Sequence, residues 1–210
     1  MGDRSAPPPP DLPGPAGPGI YPEREDTRLL LPFARPARDG ERVLEIGTGG
    51  GRIALESARA GARTVATDLH LGALRRLRRI ALDERLPLDV VRTDLARGLG
   101  RFDRILANPP YLPTTPDERD PDLGTNLALD GGADGCRVTA RIVAQLPEHL
   151  APRGRAFVLV STVQAPNSLE RIRIAWERRR GRVRIVATRD LEGERLAVWE
   201  LRPPDPGDGP

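Results

Sequence analysis

The chain has 210 residues, enough for one large domain to bury its own core, and its single cysteine, Cys136, excludes an internal disulfide and a cysteine-built zinc cluster. The net charge of +3 and the pI near 9.9 do not in themselves argue for a nucleic-acid partner, because every basic residue is arginine, which stays protonated where lysine would titrate. No run approaches the roughly 20 apolar residues of a membrane span, and the start MGDRSAPPPP lacks the apolar stretch of a signal peptide, so a soluble cytoplasmic protein is expected.

Residues 1–19 are dominated by proline and glycine and have almost nothing to bury, which predicts a disordered or extended tail; the last residues, from Arg202, read the same way. Between these tails, short β-rich runs alternate with helical patterns, the signature of βαβ units and a mostly parallel sheet with helices on both faces. Strands are expected at 42–46, 63–68, 88–93, 102–108, 155–161, 182–188 and 196–201. Helices are expected at 52–60, 71–85, 137–150 and 168–180, the second with Leu71, Leu74, Leu77 and Leu82 on one stripe and arginines opposite. The last two strands are joined by RDLEGER, too short for a crossover helix, which predicts an antiparallel hairpin at the end of an otherwise parallel sheet. The expected architecture is a single α/β domain over 20–201 with a seven-stranded Rossmann-like sheet.

The first strand runs into Glu45-Ile46-Gly47-Thr48-Gly49-Gly50-Gly51-Arg52 and straight into a helix. Glycines at that point allow a tight turn and close approach of a ligand to the helix N-terminal amides. The dinucleotide fingerprint would need glycine where Arg52 stands, and Glu45 faces the ligand from the strand end, which suits a neutral or cationic ligand better than a diphosphate. Asp68 ends the second strand and Asp94 follows the third, so that acids recur at the carboxyl edge where open α/β sheets bind ligands. Each acid alone could equally serve as a helix N-cap.

The fourth strand breaks off into Asn108-Pro109-Pro110-Tyr111. Two prolines fix the backbone and remove N–H donors, leaving carbonyl oxygens as acceptors. The Asn108 amide oxygen with the Pro109 carbonyl makes an acceptor pair suited to an NH2 group, and Tyr111 could cover a planar group by stacking. Such a site selects a planar nitrogen, an amide or an aromatic amine, and works by positioning without a strong base.

These residues resemble the S-adenosylmethionine-dependent methyltransferases of the seven-stranded Rossmann-like class, with VLEIGTGGG as their first motif, over nearly all of residues 20–201. The resemblance implies S-adenosyl-L-methionine as cofactor. Gly47, Thr48 and Gly49 would lie against its methionine part, Asp68 with Leu69 at its ribose, and Asp94 with Leu95 at its adenine. More closely, IYPEREDTRLLL, ANPPYLPT and LALDGGADGCRVTARIV together resemble the short archaeal and eukaryotic members of the HemK family, which methylate the glutamine of the Gly-Gly-Gln loop of class 1 release factors. By that likeness Thr27 would touch the cofactor, Asn108 would bind both cofactor and substrate amide, and Asp130 to Gly135 would face the substrate. The short relatives usually pair with a small zinc-binding activator protein along a sheet edge, and the longer bacterial enzymes carry an N-terminal helical domain that this chain lacks. His70 stands where the family tends to have asparagine and reads as a polar residue at a helix start.

The motif also serves enzymes that methylate adenine N6 or guanine N2 in nucleic acids, and lysine methylation or an inactive cofactor-binding scaffold are further alternatives. Residues 112–135 carry six acids (Asp117, Glu118, Asp120, Asp122, Asp130 and Asp134) against Arg119 alone. Acidity beside the site would repel phosphates, so protein glutamine is favoured and stable nucleic-acid binding is not expected. Cys136 reads as a packed thiol, and Trp176 and Trp199 as core or edge packing.

Overall fold

The computed structural model describes residues 22–36 and 38–204. The tails expected at 1–19 and beyond 204 lie outside these residues; Arg202, where the second tail was expected to start, instead pairs with Arg182 in the last strand. The elements run α1 (Glu25–Ala34), β1 (Arg42–Ile46), α2 (Arg52–Arg59), β2 (Arg63–Asp68), α3 (Leu71–Asp83), β3 (Leu88–Arg92) and β4 (Phe102–Ala107). A short 3-10 turn (Pro116–Glu118) and α4 (Leu123–Leu129) follow, then α5 (Arg137–His149), β5 (Leu150–Ser161), α6 (Pro166–Glu177), β6 (Arg182–Leu191) and β7 (Glu194–Arg202).

Seven strands form one sheet in the order β3-β2-β1-β4-β5-β7-β6, parallel except for β7. The antiparallel strand is last in the chain but not at the sheet's end: β7 inserts between β5 and β6, and β6 takes the edge. The hairpin is tighter than its spacing suggested, since Leu191 pairs with Glu194 across Glu192-Gly193, with Gly193 at φ +79°. β5 starts at Leu150, earlier than expected, and carries Pro152 and Gly154 through a register shift against β4 between Phe102 and Arg104.

Side chains alternate across the sheet. Leu44 and Ile46 of β1 with Ile105 and Ala107 of β4 face α5 and α6, where Ile142, Leu146, Ile172 and Trp176 complete one core. Val43, Leu106, Phe157 and Leu159 face the other way, towards Leu30 and Ala34 of α1 and Ile53 of α2. Towards β3, Leu55 of α2 packs with Leu77 and Ile80 of α3. In α3 the buried stripe is Ala73, Leu74, Leu77, Ile80 and Ala81; Leu71 and Leu82 are exposed, Leu71 as the first residue of the helix and Leu82 because it falls off the i, i+3, i+4 spacing that continues from Leu77 through Ile80 and Ala81.

The helix α1 has no counterpart in the sequence analysis, which places no element ahead of the first strand. The leucine run of α1 meets Pro32 in the helix's last turn, where the helix ends two residues later at Ala34. Arg104 from β4 donates to the Phe33 carbonyl at 2.7 Å and to Glu41 at 3.0 Å, and Phe33 stacks on Phe157 with centroids 4.8 Å apart. Tertiary contacts thus supply the stop signal and the packing that the local sequence does not advertise.

Candidate active site

The sheet order reverses between β1 and β4, and there, at the carboxyl ends of the strands, a cleft of about 670 Å³ opens. Its walls come from the segment before α1 and α1 itself, the glycine turn after β1, the ends of β2 and β3, the loop after β4, α4 and the start of α5. Thr27, Glu45, Gly47, Thr48, Gly49, Asp68, Leu69, Asp94, Leu95, Asn108, Pro109, Pro110 and Tyr111 all line it. Residues spread over 85 positions of chain are brought together by the parallel topology, which delivers each strand's carboxyl end to the same edge.

The glycine turn is tied down at both ends. The N–H groups of Gly47 and Thr48 both donate to the Thr67 carbonyl at 2.9 Å, and Gly49 N–H donates to Asp68 Oδ2 at 2.8 Å. Gly47 has φ +71° and open space where a Cβ would stand, so a ligand can lie directly on its backbone. Gly51, at φ +82°, is the N-cap of α2, and a Cβ there would lie 2.7 Å from Leu77 Cδ1. One glycine therefore opens the cleft, and the other lets α2 pack on α3.

Glu45 is turned into the protein. Its Oε2 accepts from Thr48 Oγ1 at 2.5 Å and from Ala54 N–H at 2.9 Å, and only 4% of the residue is exposed. Burial pushes its carboxyl up to about 8 against those two hydrogen bonds, with the nearby Asp68 charge adding to the rise. The sequence reading placed this acid on the ligand; the geometry shows it bracing the turn and the first residues of α2. Asp68 also serves the backbone, accepting from Gly49 N–H through Oδ2 and from His70 N–H through Oδ1 at 2.8 Å. His70 caps α3, its Nδ1 accepting from Ala73 N–H at 3.1 Å, as a polar helix-start residue should.

Asp94 pairs with Arg141 of α5 at 2.5 Å, and Leu95 beside it takes a positive φ of +57°, a conformation seldom seen for a branched side chain. Arg141 sits 47 residues downstream of its acid, too far for any local pattern to reveal the pair.

After β4 the chain turns through Asn108 to Tyr111. Asn108 Oδ1 is buried and has no hydrogen-bond partner among the described residues. Tyr111 packs its ring against the α1-side core with its hydroxyl facing the charge of Asp26, a buried acid that accepts from Thr27 N–H at 2.6 Å. Burial first, then the Asp26 and Glu194 charges, hold the phenol well above the usual tyrosine range. Asp26 and Glu194 were missed by sequence reasoning, because nothing in their neighbourhoods links α1 or the start of β7 to the loop after β4.

The loop from Asp130 to Gly135 packs directly on this segment. Leu112 bridges Asp130, Gly131 N–H donates to the Leu112 carbonyl at 2.9 Å and Thr114 N–H to the Gly132 carbonyl at 2.9 Å. Asp130 is buried and flanked by Arg119 and Arg137, each at 3.1 Å. With Arg141 on Asp94, the inner wall is closer to neutral than the sequence implies. The expected acidity persists on the outer rim, where Asp117, Glu118, Asp120 and Asp122 are exposed. Cys136 is buried, and burial pushes its thiol up to about 11, so it is a packed and unreactive group.

A cleft at this switch point, with a bare glycine turn on one side and an unpartnered amide oxygen on the other, is the site of a Rossmann-like methyltransferase. A model of the methyltransferase small domain matches residues 19–127, and the chain belongs to that family. It is 36% identical over 148 residues to a protein of Methanocaldococcus jannaschii provisionally named a protein N5-glutamine methyltransferase, covering 70% of this chain and 74% of that one. It is 37% identical over 168 residues to the release factor glutamine methyltransferase of Deinococcus radiodurans, but spans only 59% of that relative's length against 73% of its own. Among solved structures, the Mtq2–Trm112 complex of E. cuniculi, described as responsible for methylation of the eRF1 translation termination factor, superposes with a TM-score of 0.67 at 27% identity, over 88% of this chain and 99% of that one.

Proposed function

We propose that the chain transfers the methyl group of S-adenosyl-L-methionine to the side-chain amide nitrogen of a protein glutamine, in the Gly-Gly-Gln loop of a class 1 release factor. The observation that carries this reading is the buried, unpartnered Oδ1 of Asn108. A buried acceptor without a partner costs about 1–3 kcal/mol, and a substrate N–H that fills it recovers that cost on binding. The Pro109 carbonyl offers the second acceptor for the same NH2 group, and Tyr111, its hydroxyl facing the Asp26 charge, covers the amide.

The residues of the cleft suit the cofactor. Gly47 leaves room against its backbone, Asp68 stands beside the turn where ribose hydroxyls can donate, and Asp94 with Leu95 closes the far end. The bound cofactor would supply an electrophilic methyl group on a sulfonium. The chain's own task is then to hold both amide hydrogens, so that the nitrogen lone pair is freed from conjugation and aimed at one point; as the N–C bond forms, the methyl–sulfur bond would break with its electron pair left on sulfur, and the nitrogen would lose one proton to solvent. The names of the archaeal and bacterial relatives support glutamine over a nucleic-acid base, and the acidic outer rim favours it too. That the E. cuniculi relative was solved with Trm112 supports a small activator partner for this chain as well.

The test is incubation of the protein with labelled cofactor and the host's class 1 release factor, with mass spectrometry of the product. One methyl group on the loop glutamine is expected. Label on nucleic acid or on lysine would point to the competing readings.

A further inference from the structure

A second cavity, of about 390 Å³, lies between α5 and α6. Its floor is apolar and preformed: Val143, Ile172 and Trp176 are each at most 8% exposed, and Trp176 is oriented by its Nε1–H donating to the Arg182 carbonyl at 3.2 Å. Small residues, Ala140, Ala144 and Ala175, leave the trough between the two helices open. Its rim is cationic. Arg171 and Arg179 are exposed, whereas the two glutamates of α6, Glu170 and Glu177, are both drawn onto Arg173 at 2.5 and 2.7 Å. The acid at the groove's end, Asp134, accepts from Cys136 N–H at 2.9 Å and is offset in part by the Arg171 charge, Arg171 itself donating to Ser168 Oγ at 2.7 Å, so the excess positive charge of the rim rests on Arg179 with part of Arg171.

Arg137 lines both cavities. Its guanidinium is held on Asp130 in the active-site cleft at 3.1 Å, while the residue forms the near wall of the α5–α6 groove. The two sites are thus neighbours, separated by one side chain of the loop that packs on Asn-Pro-Pro-Tyr.

We propose that the α5–α6 groove is a docking site for the protein substrate itself, taking an apolar side chain of a segment that also carries acidic residues, beyond the glutamine held in the first cleft. This rests on the glutamine reading above. The apolar floor calls for a side chain, the arginine rim for carboxylates beside it, and the shared Arg137 for a segment continuous with the one in the cleft. A single amide held by two acceptors has little affinity of its own, and a second contact supplies the recognition that distinguishes one loop glutamine from others.

The experiment uses the full chain, the host's class 1 release factor and a short peptide carrying only its Gly-Gly-Gln loop. Two variants are compared with wild type: Arg171→Glu/Arg179→Glu, which inverts the rim at exposed positions, and Ala175→Trp, which fills the groove; thermal melts check that each folds. Both variants should raise KM for the intact release factor about tenfold with kcat within twofold, while turnover of the short peptide and calorimetric cofactor affinity stay unchanged. An unchanged KM for the intact factor overturns the docking site and leaves the glutamine reading standing. Absence of methyl transfer to either substrate by wild type overturns the glutamine reading and the docking site with it. Binding of RNA that the rim inversion abolishes would reassign the groove to a nucleic acid.

Discussion

A Cβ built on Gly135 would overlap the main-chain carbonyl oxygen of Tyr111, and Gly135 itself sits at φ +70° with its own carbonyl held by Gln164 Nε2 at 2.8 Å. The loop before α5 and the loop after β4 therefore meet backbone to backbone, and neither can move alone. Gly135→Ala should cost about 3 kcal/mol, from backbone strain and overlap together, and lower methyl transfer as well because Tyr111 must shift. Denaturant unfolding and kinetics read the two effects; a stability loss under about 1 kcal/mol would show the contact to be slack.

Tyr111 and Asp26 should be energetically coupled. Tyr111→Phe removes the hydroxyl that faces the buried Asp26 carboxylate, and Asp26→Ala removes both that charge and the acceptor of Thr27 N–H. Asp26→Ala should therefore reduce kcat more than Tyr111→Phe does. In a double-mutant cycle on stability, an interaction of about 1–2 kcal/mol is expected, and additivity of the two changes would refute the coupling.

Glu45 gives the fold a pH dependence of unusual sign for an acid. Its carboxyl lies at about 8 in the folded protein against an ordinary 4.5. Between these values the folded state holds a proton that the unfolded state has lost. This group's contribution is full below about pH 4.5, falls as pH rises towards 8, and changes no further above it, by on the order of a few kcal/mol in all. Glu45→Gln keeps an acceptor for Thr48 and Ala54 N–H and removes the ionisation. Its denaturation midpoint should stay flatter than that of wild type from pH 5 to pH 8, and parallel curves would argue against the shift.

Asn108→Ala should separate catalysis from stability. Since Oδ1 has no partner in the described structure, its removal should leave the melting temperature unchanged or raised, while kcat falls about 10²–10³-fold. A fall in stability matching the loss of activity would mean that Asn108 is a structural residue.

Much of this was readable before any coordinates. Strand runs such as RVLEI and FDRILAN have an apolar pattern that only a buried strand explains, and both form where expected. The glycine turn and Asn-Pro-Pro-Tyr carry their chemistry in local backbone constraints, which act within four or five residues and so leave a mark in the sequence. The helix α1 left no such mark, because Pro32 contradicts it locally and only Arg104 and Phe157, more than 70 residues away, make it hold.

By itself the sequence determined the α/β class and the strand ends that line the cleft, and it suggested a planar nitrogen acceptor at Asn108, since period-2 burial and turn residues are local properties. Only the tertiary structure decided the charge and the tethers of that site. It turned Glu45 inwards, set Arg141 on Asp94 and two arginines on Asp130, brought the Tyr111 hydroxyl to face Asp26, and placed β7 inside the sheet. The reason is range: an ion pair between residues 47 apart, or a strand inserted between two others, depends on how distant segments pack, and no local pattern of residue types encodes the distance between them.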